Sequence, residues 1–112
     1  MTFEDFANLF EIMVEEEKLI GNTKGVEYAG SGDKLANFKE VGSQIKCPCC
    51  QEKLGPKVIL WIFLTKHIRS VSSYINTNKT LSEPIEERIK DIRVYLSLLR
   101  ALVEEEKQGG LE

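Results

Sequence analysis

The sequence predicts an all-α protein, a single domain resembling a four-helix bundle. Near its end, apolar residues recur at alternating three- and four-residue steps, the period of an amphipathic helix: Ile85, Ile89, Ile92, Leu96, Leu99 and Val103. The run 58–64 is apolar on every side, and the residues after it continue at helical spacing, which favours a helix over a buried strand. The 112 residues suffice for one domain with a modest core.

The first helix is predicted at about 3–19. Thr2 is a suitable N-cap, and Glu4 and Asp5 in the first turn favour the helix dipole. Gly21 and Asn22 are expected to end the helix. Residues 21–33 are rich in small and polar residues without an apolar period, so they predict a long loop of the kind that often carries function. The expected core stripe of this helix is Phe3, Phe6, Phe10 and Met13.

Three further helices complete the predicted domain. A short second helix is expected at about 34–41, followed by a cysteine-containing insertion at 44–56. Gly55 and Pro56 introduce a third helix at about 57–75. A turn then leads to the fourth helix at about 83–106, with Ser82 as its cap, Pro84 in its first turn and Gly109 after its end.

Composition narrows the class of protein. Hydrophobic content of 42% and charged content of 29% are ordinary for a soluble globular chain. The formal net charge of −3 argues against a general nucleic-acid-binding protein, which normally presents a basic surface. No signal peptide opens the chain, and the apolar run 58–64 is too short to span a bilayer. We therefore expect a cytoplasmic protein that does not bind membranes.

Two predicted helices carry more apolar surface than one short chain can cover. The third helix begins apolar on all sides, and a helix of that kind needs partners all round. On the fourth helix a second face carries Val94, Leu98 and Leu102 beside the main apolar stripe. These features predict a homo-oligomer.

Acidic residues on the fourth helix form the main candidate site. Glu83, Glu87 and Asp91 step by four along the second face. Such acids are either ion-pair partners of nearby basic residues or ligands of Mg²⁺, which prefers hard oxygen donors. Glu17, at an inward position of the first helix, is a candidate fourth ligand. Tyr28 and Trp61 are candidates for stacking on a base, and the alternative for both is a core or interface position.

The second candidate site is the cysteine segment. Cys47, Cys49 and Cys50, with the sole histidine His67, supply four side chains that suit Zn²⁺. Alternatively, each subunit of a symmetric dimer could supply half of the four ligands of one tetrahedral Zn²⁺ site. The alternative is three free thiols, which fits a reducing compartment.

A set of residues between Lys24 and Leu96 carries a resemblance to a known family: Lys24, Glu27, Tyr28, Ala29, Gly30, Asp33, Ala36, Asn37, Phe38, Lys66, His67, Ser70, Ser82, Glu83, Pro84, Ile85, Arg88, Ile89, Asp91, Tyr95 and Leu96. With these residues, much of the chain from Lys24 to about Glu106 resembles small phage and prophage proteins of the nucleotide-modification-associated domain type. These are similar in turn to the all-α nucleotide pyrophosphohydrolases of the MazG and dimeric dUTPase class.

The resemblance implies an oligomeric helical bundle that binds or processes nucleotides in the host cytoplasm during phage infection. In the enzyme class, acids of two helices hold Mg²⁺ against a triphosphate, and water attack releases pyrophosphate. The matching acids are Glu83, Glu87 and Asp91, with Glu87 and Asp91 at the catalytic metal. The matching nucleotide-binding residues are Lys24, Tyr28, Lys66 and Arg88.

A non-catalytic reading stands beside the enzyme reading. The first helix has no clear second pair of metal-binding acids, and Thr65 occupies a position where related sequences tend to carry an acid. The alternative function is an accessory protein that binds or sequesters a nucleotide, a nucleotide signal or a host protein. Under that reading, the acids should be paired with Arg88, Arg93 or Lys66.

Overall fold

A computed structural model describes residues 1–23, 33–80 and 82–109. In this part of the chain four helices pack against each other, and the all-α, bundle-like prediction is confirmed. The helices are α1 (Phe3–Thr23), α2 (Ala36–Gln44), α3 (Pro56–Thr77) and α4 (Ile85–Gln108).

Helix α1 begins with the expected cap and ends later than expected. The Asp5 N–H donates to Thr2 Oγ1, and the Thr2 N–H donates to Asp5 Oδ2, both at 3.0 Å. The hydrogen bond from the Thr2 backbone N–H, with that from the Thr2 side chain, lowers the pKa of the Asp5 carboxyl. The helix continues through Gly21 and Asn22 to Thr23, so the sequence prediction that these two residues end it is wrong. A glycine lowers helix propensity by only about 1 kcal/mol, which neighbouring turns can offset.

Asp33 organises the start of α2. Its Oδ1 accepts a hydrogen bond from the Leu35 N–H at 2.9 Å, and its Oδ2 accepts one from Lys39 Nζ at 2.7 Å. Lys39 Nζ also lies 3.0 Å from Glu105 Oε1, which joins α2 to α4. Because Asp33 holds the chain in a turn at this point, the helix begins at Ala36, two residues after the predicted start.

A close approach of two glycines fixes the base of the segment between α2 and α3. The Gly55 N–H donates to the Gly42 carbonyl at 3.2 Å, and a Cβ on Gly42 would lie 2.5 Å from the Gly55 carbonyl carbon. Gly55 has a φ of 84°, a conformation that L side chains rarely adopt. Pro56 follows in the first turn of α3, where its missing N–H costs no helical hydrogen bond.

The core lies between α2, α3 and α4. The buried members of its central cluster are Leu35, Leu60 and Leu102, one from each of these regions. Phe38 and Tyr95 pack beside them, with their rings edge-on and 6.3 Å apart. The most extensive contact is between α3 and α4. Helix α2 packs on α3, and among the described residues α1 has extensive contact only with α4.

The buried face of α4 coincides only in part with the main stripe that the sequence predicts: Leu99 of that stripe packs against the core, beside Leu98 and Tyr95. Leu102 is 3% exposed, whereas Ile89 is 41% and Leu96 is 49% exposed. The expectation that Ile89 and Leu96 are buried is therefore wrong within one chain. Helix α3 lies on the side of Leu102, and the position of that partner decides which apolar face of α4 enters the core.

The expected core stripe of α1 is also mostly outside the core. Phe3 is 99% exposed, and Phe6 and Phe10 are about half exposed. Met13, further along the helix, is partly buried. Helix α1 packs on α4 through its second half, so the aromatic residues of its first half extend beyond the only large partner that the described residues provide.

Within the described ranges, none of the helices combines the length and the apolar composition that a bilayer-spanning segment requires.

Candidate functional site

The three candidate acids at the start of α4 lie at different depths. Glu83 precedes the helix and is exposed, Glu87 lies in the first turn, and Asp91 lies one turn further on and is only 18% exposed. The four-residue spacing places Glu87 and Asp91 on one side of the helix, as the sequence predicts. Each of the three acids has a basic or imidazole side chain as a neighbour.

Glu83 is paired with Arg88. The Arg88 Nε atom lies 3.7 Å from Glu83 Oε2, and Arg88 Nη2 donates to Ser82 Oγ at 2.9 Å. The prediction that Ser82 caps α4 is therefore wrong, because Pro84 occupies the N-cap position and no side chain caps it. The guanidinium of Arg88, a candidate phosphate ligand, instead holds the segment before α4 against the helix.

Glu87 is paired with Lys90, one of the basic residues that lie near these acids in the sequence. Lys90 Nζ lies 3.0 Å from Glu87 Oε1 and 3.4 Å from Glu16 Oε2, so it links α4 to α1. The hydrogen bond to Glu87, assisted by the charge of Glu16, raises the pKa of Lys90. The i, i+3 spacing of Glu87 and Lys90 was visible in the sequence, whereas the contact with α1 needed the fold.

Asp91 faces His67 of α3. The His67 Nδ1 atom lies 3.8 Å from Asp91 Oδ2, and both side chains are about four-fifths buried. At that distance the two groups attract when the imidazole is protonated, but they form no direct hydrogen bond. The His67 ring stacks at 5.2 Å on Tyr95. Burial, with a contribution from the Asp91 charge, raises the pKa of Tyr95.

Glu17 lies inward on α1 and forms an ion pair with Arg93 of α4. Arg93 also donates from Nη1 to Met13 Sδ at 3.6 Å, and its guanidinium lies 5.4 Å from the centre of the Phe10 ring. Arg93 therefore meets three residues of α1 along two turns. The sequence indicated that Glu17 faces inward, and the structure makes this carboxylate part of the contact between the first and last helices.

The other candidate nucleotide ligands are exposed on α3 or lie outside the described residues. Lys66 is exposed, with its Nζ 5.9 Å from the centre of the Phe63 ring. Trp61 is 53% exposed on α3. Lys24 and Tyr28 fall among residues 24–32, which the structure does not describe.

The cysteine segment forms a small hairpin. Lys46 and Lys53 make an antiparallel bridge, and the Cys47 N–H donates to the Glu52 carbonyl at 2.7 Å. Cys49 and Cys50 are exposed at the tip, and Cys47 is partly buried. Hydrogen bonds from the backbones of Cys50 and Cys49 and from their thiols lower the pKa of the Cys47 thiol.

The proposed metal-ligand sets are not assembled within one copy of the described chain. Among residues 1–23, 33–80 and 82–109, no three His, Cys, Asp or Glu side chains are grouped so that they could hold a metal ion. The acids of the magnesium set face cationic partners, and His67 lies beside Asp91. A metal at either site therefore requires rearrangement or ligands from elsewhere.

An exposed apolar surface lies on the outer side of α3. Its members recur at helical spacing and point away from the positions that face α2 and α4. We call this surface the α3 stripe: Val58, Trp61, Ile62, Ile68 and Ile75, which are between 41% and 72% exposed.

The fold and site together define an all-α helical protein with an ion-paired acidic edge, a cysteine hairpin and an exposed apolar stripe. Comparisons of the chain with family models, curated proteins and solved structures give no match.

Proposed function

We propose that this protein is a non-catalytic helical accessory protein, which acts by binding and not by turnover. One observation carries the proposal: each described acid of the candidate magnesium site already faces a basic or imidazole side chain. The pairs are Glu17 with Arg93, Glu83 with Arg88, Glu87 with Lys90 and Asp91 with His67. The non-catalytic interpretation of the sequence predicts pairing with Arg88, Arg93 or Lys66. Two of the four acids have one of these partners, and Lys90 and His67 are the neighbours of the other two.

The pairing opposes magnesium binding for an electrostatic reason. A Mg²⁺ ion at Glu87 and Asp91 would lie close to the ammonium of Lys90, which is 3.0 Å from Glu87 Oε1. Binding would have to separate Lys90 from Glu87 and Glu16, a contact that joins two helices. No such repulsion arises if these acids serve to hold α1 and α4 together through their ion pairs.

Nucleotides are the ligand class that we propose, on the basis of the resemblance to phage nucleotide-associated proteins. A ligand phosphate needs an accessible cation, and Lys66 lies exposed on α3. This cation supports binding of a phosphate without requiring the acids to be released from their ion pairs.

Pyrophosphohydrolysis is the second candidate function. Glu87 and Asp91 lie one turn apart on α4, the arrangement with which two carboxylates can share one Mg²⁺. Under this alternative, a nucleotide and its metal would displace Lys90 from Glu87.

A nucleotide panel tests the proposed function. Nucleoside mono-, di- and triphosphates are screened for binding by calorimetry and for pyrophosphate release, each with and without Mg²⁺. Binding of at least one nucleotide without release supports the proposal. Release that is lost in Asp91→Asn supports the hydrolase instead, and the absence of any binding overturns the nucleotide assignment.

We further propose that the protein works as a homo-oligomer in which a second copy covers the α3 stripe. Apolar patches of this kind on a helix face are typical of association surfaces. Trp61→Glu should weaken self-association, because it places a charge in the centre of the stripe. Ser73→Glu, an equal charge change at an exposed position of the same helix, is the matched control. Light scattering across a concentration series measures both, and a wild-type monomer at all concentrations contradicts the proposal.

A further inference from the structure

The cysteine hairpin has the geometry of a metal-binding knuckle. Cys47 and Cys50 are separated by two residues, the shortest spacing common among zinc ligand pairs. The Gln51 N–H donates to the Cys47 carbonyl at 2.9 Å, and Gln51 has a φ of 62°. This left-handed residue lets the chain turn back directly after Cys50, so that Lys53 pairs with Lys46.

The turn brings the donors of the two cysteines together. The hydrogen bond from the Gln51 N–H to the Cys47 carbonyl closes a turn that contains both cysteines, so their side chains start from the same short segment. Both are free cysteines, with Cys50 exposed and Cys47 partly buried.

One copy of the chain supplies too few ligands for a closed site. Structural zinc is held by four ligands in a tetrahedron, and thiolates select zinc over hard cations. Within the described residues no group of three metal-ligating side chains forms, and His67 is beside Asp91. We propose that Cys47 and Cys50 form half of a Cys₄ zinc site, and that the same two residues of a second copy complete it.

The surroundings of the hairpin favour a second copy as the source of the other ligands. The tip is exposed, so two hairpins can meet end to end without moving a helix. The hairpin also leads at Gly55 directly into α3, where the α3 stripe begins at Val58. A second copy that shares the metal would therefore lie next to the α3 stripe and could bury it.

Charge complementarity supports the same arrangement. A zinc ion with four thiolates carries a net charge of −2, because the four thiols release four protons to the buffer when the metal binds. Lys46 and Lys53 flank the tip of each hairpin, and both are exposed. Two copies therefore bring four ammonium groups to the rim of the site, against the two carboxylates of their Glu52 residues, and this offsets the charge of the metal centre.

Cobalt and zinc titrations of the full chain test this proposal. The protein is kept reduced with a phosphine, and Co²⁺ is added while the absorption of tetrahedral thiolate coordination is recorded. We expect saturation at about 0.5 Co²⁺ per chain, since a tetrahedral site takes two ligands from each copy. Zinc should displace the cobalt and lower the dimer dissociation constant by about tenfold or more, because the metal binds the dimer preferentially.

Cys49 provides the matched control, because it lies on the same exposed tip. Cys47→Ser and Cys50→Ser should each abolish the cobalt spectrum and the effect of zinc on the dimer, whereas Cys49→Ser should keep both. Circular dichroism checks that all three variants remain helical. Saturation at one metal per chain overturns the shared site, absence of a tetrahedral spectrum overturns the metal site, and loss of binding in Cys49→Ser overturns the assigned pair. None of these readouts involves a nucleotide, so failure here is distinct from failure of the proposed function.

Discussion

Arg93 of α4 and Glu17 of α1 form the ion pair that joins the last helix to the first. The two side chains are 26% and 18% exposed, and the guanidinium also meets Met13 and Phe10. Few other contacts hold α1 on the rest of the chain, because its first half extends away from α4. We therefore expect this pair to contribute more to the free energy of unfolding than an exposed ion pair does.

Replacing Glu17 by Gln should loosen α1. The change leaves Arg93 partly buried without its counter-charge, and we expect a loss of about 1–2 kcal/mol in the free energy of unfolding, between the values for exposed and buried pairs. Urea unfolding measures the loss, and hydrogen exchange should show faster exchange in α1 than in α3.

Glu15→Gln is the matched control on the same helix. Glu15 pairs with Lys18, and both side chains are more than 60% exposed, so the cost should be below about 0.5 kcal/mol. Equal effects at Glu15 and Glu17 would contradict the proposed importance of the Arg93 contact. Stabilisation of the wild type by Mg²⁺ that is absent in Glu17→Gln would identify Glu17 as a metal ligand instead.

Gly42→Ala should destabilise the protein, although a Gly to Ala change inside a helix usually stabilises it. The new Cβ would lie 2.5 Å from the carbonyl carbon of Gly55 and 2.8 Å from the nitrogen of Pro56. Both are backbone atoms, so α2 and α3 must move apart, and the expected cost is about 1–3 kcal/mol, as in other overpacked sites. Thermal and urea unfolding measure it.

Gly109→Ala serves as the control for that substitution. Its nearest contact would be 3.5 Å, an ordinary van der Waals distance, and the residue has a helical φ of −79°. Stability should change little. If Gly42→Ala left stability unchanged, Gly42 and Gly55 would have to lie further apart than the structure places them.

Leu102→Ala and Leu96→Ala test which face of α4 is in the core. Leu102 is 3% exposed and Leu96 is 49% exposed. The first change should cost about 2–5 kcal/mol, as large-to-small changes in cores do. The second should cost below about 1 kcal/mol, because half of that side chain already contacts water. Unfolding is measured at a protein concentration where the chain is monomeric. A larger loss of stability in Leu96→Ala than in Leu102→Ala would show that the Leu96 face is the one in the core.

Stability should fall in acid partly because of Asp33. The hydrogen bond from Lys39, followed by that from the Leu35 N–H, holds the pKa of Asp33 below its usual value. The unfolded chain therefore takes up this proton first, so the contribution is complete above the unfolded pKa of about 3.9 and disappears as pH falls through the folded pKa.

Asp33→Asn isolates this contribution. The amide oxygen can still accept from the Leu35 N–H, but the side chain no longer titrates or pairs with Lys39. The wild type should be more stable at pH 7, and the difference should shrink as pH falls below about 5. A difference that is constant across this range would show that Asp33 acts only as a cap.

Several local features could be predicted from the sequence because they depend on neighbours in the chain. Thr2 and Asp5 form the cap of α1 through residues three positions apart. Gly55 and Pro56 introduce α3, and Gly109 ends α4. The all-α class follows from the apolar period for the same reason, since that period is a property of each segment by itself.

The partners of each face were decided by the tertiary structure. The sequence shows two apolar faces on α4, and only the position of α3 selects the side of Leu102 over that of Leu96. The four-residue step of Glu83, Glu87 and Asp91 is equally compatible with a metal and with ion pairs. Their observed neighbours include His67 on another helix, a contact that no local pattern contains.

By itself, then, the sequence determined that the chain forms helices, where α1 and α3 begin, and which residues carry charge or thiols. The tertiary structure decided that α1 leaves its aromatic half exposed, that Arg93 meets Glu17, and that Cys49 and Cys50 are exposed at the tip of a hairpin. The physical reason is range: hydrogen bonding within a helix acts over four residues, whereas burial and ion pairing depend on which distant segments pack together.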